Sequence, residues 1–122
     1  MKTIEPRRIE NAEADLVRRV LVSAPLMPIP ESILNGIAAL EVVGVCSCGC
    51  ATRYFRPEER DQHRVADAVA HFDDGRLANL VVWADAEQVT TLEVVDHFGV
   101  GDLPLAESVC TWEEEGARQA KM

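Results

Sequence analysis

The sequence predicts an α+β fold, with two N-terminal helices packed on an antiparallel sheet of about five strands as a two-layer sandwich. Apolar residues follow a helical period up to about residue 37 and alternate with period two from Leu40 onward. Between two of the alternating runs, Asp73, Asp74 and Gly75 mark a reversal of the chain. At 122 residues, 48% hydrophobic and 27% charged, the polypeptide has the size of a single domain, 1–122, that can bury a core without a metal or disulfide.

Over residues 6–23, Ile9, Ala12, Leu16, Val17, Val20 and Leu21 fall on one stripe of a helix, with Pro6 suited to its first turn and Pro25 forbidding its extension. The connector APLMPIP follows. Pro30 then starts a short second helix that turns Ile33, Leu34 and Ile37 inward and is weakened by Gly36. LEVVGVCS reads as a strand, SCGC as a turn in which Gly49 supplies positive φ, and ATRYF as the returning strand. Residues 57–72 fit either a helix or a strand. The Asp-Asp-Gly reversal after them favours strand for 64–72, because such turns join antiparallel neighbours. LANLVVWA, apolar on both faces, belongs at the centre of the sheet, and VTTLEVVD is the last clear strand. LPLAESVCTW is expected to lay Leu105, Val109 and Trp112 over the core, and residues 113–122 to form a frayed polar tail. A final strand left at the edge could pair with its twin, so either a monomer or a homodimer is compatible.

The net charge of −9 is uneven: residues 1–60 carry 8 Lys and Arg against 8 Asp and Glu, and residues 61–122 carry 4 against 13. Such a surface repels a phosphate backbone and an anionic bilayer, so no nucleic-acid or membrane partner is expected; a basic protein partner is the ligand its field would steer in. One form of this would be an antidote covering a basic toxin. The opening MKTIEPRRIENAEADL holds no apolar stretch of signal-peptide length, and no apolar run approaches the ~20 residues that span a bilayer, so a cytoplasmic location is expected. In that reducing compartment the four cysteines are expected as thiols.

The block VVGVCSCGCATRYF, with LANLVVWADAEQVTTLEVVDHFG behind it and the two helices before it, resembles an uncharacterised family of small bacterial proteins with a Cys-X-Cys-Gly-Cys hairpin. The resemblance covers most of residues 8–98. It implies a bacterial single-domain protein and transfers no activity and no catalytic residue.

Cys46, Cys48 and Cys50 carry the most suggestive chemistry. On a flat strand, residues i and i+2 lie ~6.6–6.8 Å apart, too far for one ion, but a turn at Gly49 would bring three sulfurs together, with Cys110 or a histidine as fourth ligand to zinc or another soft ion. Against this, Cys46 serves as a small core residue and the other two merely occupy a tight hairpin. A third possibility is thiol exchange, helped by Arg53 and Arg56. His63, His71 and His97 are scattered, Asp96 and His97 point opposite ways on a strand, and Asp73 and Asp74 read as turn residues. Since no nucleophile elbow, phosphate-cradling loop or paired catalytic acids occur, the sequence favours a non-enzymatic binding protein, with metal binding through CSCGC as the alternative.

Overall fold

The computed structural model describes residues 1–57, 61–96 and 101–120. Strand β1 (Lys2–Arg8) leads into helix α1 (Asn11–Ser23), which is followed by α2 (Glu31–Gly36) and a 3-10 turn, Ile37–Ala39. Five more strands follow: β2 (Glu41–Val45), β3 (Arg53–Tyr54), β4 (His63–His71), β5 (Leu77–Ala84) and β6 (Val89–Val95). A second 3-10 turn, Ala106–Ser108, precedes α3 (Trp112–Ala120). The strands form one antiparallel sheet in the order β1-β2-β3-β6-β5-β4. The α+β class therefore holds, and the strand expected over 64–72 is β4, which runs one residue earlier, His63–His71. One further strand and one further helix appear among the described residues.

The additional strand corrects the start of the first helix. Pro6 lies in β1 and not in a helical first turn: an edge strand tolerates a residue without an N–H, and the β1–β2 register shifts between Thr3 and Arg7, around it. Ile9 N then donates to Leu40 O (2.9 Å), and α1 begins only at Asn11. The inward stripe of α1 is Leu16, Val17, Val20 and Leu21, together with Glu13; Ala12 is exposed. Glu13 secures the helix start by accepting from Glu10 N (2.8 Å), the backbone donor just before the first turn.

Cross-strand alternation gives the sheet two unlike faces. Ala66, Ala68 and Ala70 on β4 meet Val82, Leu80 and Ala78 on β5, and Leu92 and Val94 on β6 continue this face. It packs against α1, with Ile33 and Ile37 joining the same core. Small alanines on β4 leave room for the helix to approach. The opposite face carries Asp67, His71, Asn79, Trp83, Thr91 and Glu93, and α3 is docked on its β4 side: Glu115 Oε1 lies 2.7 Å from His71 Nε2, and Trp112 Nε1 donates to Asp67 Oδ1 (3.0 Å). The His71 contact holds the Glu115 carboxyl below its usual range. The helices are thus not confined to one face.

These contacts overturn the expected frayed tail as far as Ala120, because Glu115 is buried and drags its helix onto the sheet. Val109 does pack on the core, beside Leu103 and Ala106, whereas Trp112 remains 53% exposed. The outer edge of β4 is sealed by two stretches of chain. Leu26 N donates to Val65 O and Asp67 N to Ala24 O, while Cys110 exchanges both backbone bonds with Val69. The last strand, β6, lies between β3 and β5, so it offers no free edge for self-pairing. No helix among the described residues is long and apolar enough to cross a membrane.

Candidate metal centre

Between β2 and β3 the chain reverses through residues 46–52. Gly49 N donates to Cys46 O (3.2 Å), closing a turn, and Gly49 sits at φ 92°, where a side chain would be strained. Gly101 passes so close beneath that a Cβ on it would stand 3.2 Å from Gly49 O. The exit is fixed by buried Ala51 and Thr52. The Thr52 hydroxyl accepts from Val94 N (3.0 Å) and Arg53 Nη1 donates to Ala51 O (2.8 Å).

This turn gathers Cys46, Cys48 and Cys50, whose sulfurs all lie within 4.8 Å of one another. Cys46 Sγ and Cys48 Sγ are 2.7 Å apart, and Cys50 Sγ donates to Thr52 Oγ1 (3.3 Å). Thiolates sharing one tetrahedral ion at ~2.3 Å stand about 3.8 Å apart, so an ion would spread the closest pair by about 1 Å. Cys48 is exposed and free to make that adjustment by side-chain rotation. The Cys48 sulfur beside it pushes the Cys46 thiol up to about 11, while the bond from Cys46 holds Cys48 below the usual thiol range. Of the two, Cys48 is thus the thiol that gives up its proton more readily.

The other candidates lie elsewhere. Cys110 is beyond β4, four strand spacings from β3 or about 19 Å; its sulfur contacts Arg118 Nη2 (3.7 Å) and Glu115 Oε1 (3.9 Å), and burial pushes its thiol up. His63 is exposed at the start of β4 and His71 is held by α3, so neither joins the trio. His97 lies outside the described residues. Arg53 turns to the opposite face, where Nε donates to Glu13 Oε2 (2.6 Å), and Arg56 pairs with Asp85 and Glu87. The expected cationic help for a reactive thiol is therefore spent on carboxylates. Asp74 serves its turn, accepting from Arg76 N (3.0 Å).

Two features escaped sequence reasoning. One is the buried cluster of Glu13 with Arg7 and Arg53, whose members come from α1, β1 and β3. The other is a cleft of about 320 Å³ on the α3 face, floored by Thr91, flanked by Tyr54 and Trp83, and closed at one end by Glu93, Cys46 and Cys50. Only strand register brings these residues together, and no local spacing announces it.

No family model, curated protein or solved structure matches the chain. The cysteine-rich turn that carried the resemblance is present, with its three thiols close together.

Proposed function

We propose that this protein binds a soft metal ion through the thiolates of Cys46, Cys48 and Cys50. The observation that carries the proposal is the mutual approach of three sulfurs within 4.8 Å on a turn whose ends are anchored in the sheet. An all-sulfur donor set favours zinc, copper(I) or iron over the hard oxygen-seeking cations. The trio supplies three ligands and leaves a position for one from outside, and the exposure of Cys48 gives the ion a route in. Deprotonation accompanies binding, since only thiolates ligate. The protein purified without an affinity tag is expected to hold close to one equivalent of such a metal by elemental analysis, and Cys48→Ser to lose it. Less than a tenth of an equivalent, before and after incubation with zinc or copper(I) under reductant, would retire the proposal.

A second reading, a basic protein partner, is favoured by the concentration of 13 acids against 4 bases in residues 61–122. Glu113 and Glu114 are exposed at the start of α3 and add to that field.

A further inference from the structure

On the α3 face, the register aligns one row of residues across three strands: Tyr54 on β3 is the Cα partner of Thr91 on β6, and Thr91 of Trp83 on β5. Two strand spacings separate the aromatic residues by about 10 Å at their Cα atoms, with only a threonine between them. A cleft of about 320 Å³ opens along this row, room enough for one small planar group. Two residues along β6 from Thr91, Glu93 closes the slot, and the Trp83 indole leans toward it, Nε1 donating to Glu93 Oε1 (3.0 Å). This is the one bond of the Glu93 carboxylate among the described residues. Among the described residues, no Lys or Arg lines the cleft. Arg64, the neighbour of Trp83 on its other side, is paired with Asp67.

We propose that this slot takes the guanidinium of an arginine side chain presented by a partner protein, stacked between Tyr54 and Trp83 and paired with Glu93. A guanidinium is planar and always charged, it stacks on aromatic faces, and it bonds a carboxylate through a fork of N–H donors; an ammonium matches only the charge. The commitment to a protein-borne arginine rests on the partner reading above: the net charge of −9 steers a basic surface toward the molecule. It does not depend on an ion at the cysteines.

The test follows the indole N–H resonances of the protein as purified during titration with the blocked pentapeptide Gly-Ser-Arg-Ser-Gly. A saturable shift of the Trp83 signal is expected, with the Trp112 signal unmoved. Binding should weaken at least about tenfold when citrulline replaces the arginine and in the Glu93→Gln variant. Should that variant lose its fold, Tyr54→Leu removes one wall, leaves Glu93 in place and is expected to weaken binding similarly. The proposal is overturned if Trp83 does not respond by ~10 mM peptide, if citrulline binds as well, or if both variants bind as the parent does. Blocked arginine alone binding as tightly as the pentapeptide would overturn the protein source in favour of a free guanidino compound. The partner reading has a separate readout: if an isolated basic partner binds parent and Glu93→Gln protein equally, only the slot fails.

Discussion

Two polar clusters flank the β2–β3 hairpin and behave oppositely. On the α1 face, Glu13 is 2% exposed and its carboxylate accepts from Arg7 Nη1 (2.9 Å), Arg7 Nη2 (2.7 Å), Arg53 Nε (2.6 Å) and Glu10 N (2.8 Å). Four charge-assisted bonds exhaust its acceptor sites. Such a group joins β1, α1 and β3 and offers nothing to a ligand. At the tip of the same hairpin, the three thiols have for partners one another and Thr52, with Cys48 exposed. A cluster that completes its own bonding while excluding water serves the fold; one assembled at the surface with unused donor capacity has chemistry left for an external ion.

The largest expected effect tests the closed cluster. Glu13→Ala leaves two arginines facing a cavity without their acceptor and is expected to destabilise by about 3 kcal/mol in urea unfolding, somewhat less than a fully buried pair because Arg7 and Arg53 keep partial solvent access. Cys48→Ser, by contrast, is expected to change stability by no more than about 0.5 kcal/mol. Comparable losses in the two variants would abolish the distinction between the clusters.

The same carboxylate gives the closed cluster a pH signature. Burial pushes Glu13 up, but the bonds from Arg7, Glu10 N and Arg53 together outweigh it and bring the carboxyl down to about 2, against 4.5 for the free group. A folded-state value below the unfolded one means that the contribution is fully present above pH 4.5 and is lost as pH falls toward 2. Its size is at most about 3 kcal/mol, and unfolding midpoints of Glu13→Gln followed across that window should show the parent's acid dependence flattened.

The interior of the sheet was legible because buried strands write their environment into local spacing: LANLVVWA and VTTLEVVD are apolar where neighbours cover them, and Gly49 adopts the positive φ that its turn suggested. Elements at the margins leave no such trace. β1 is an edge strand with Glu5, Arg7 and Arg8 among its residues, so it shows no clean alternation, and Pro6 suits a helix start as well as a strand without a partner on one side. α3 carries a single large apolar residue, Trp112, and is secured by a bond between residues 71 and 115, a pairing that no window of sequence contains. The cysteine trio was half visible: the CSCGC spacing announced the turn, while the separation of Cys110 from it depends on strand order. The Tyr54–Thr91–Trp83 row depends on register in the same way.

Gly49 offers the smallest but most discriminating change. Nothing lies within 4 Å of a Cβ added there, so Gly49→Ala meets no steric block; its cost is the left-handed conformation at φ 92°, about 1 kcal/mol. The rest of the hairpin is held by Thr52 and Arg53 and should remain in place. The strain is therefore relieved within residues 46–50, where it moves the sulfurs relative to one another. If the turn is shaped for an ion, the variant should lose metal affinity by more than the roughly fivefold that its stability loss alone would explain, read by competition with a chromophoric chelator. Equal losses in stability and affinity would mean that Gly49 serves only the reversal of the chain, and the surface cluster would then have no stronger claim to a built site than the three thiols themselves supply.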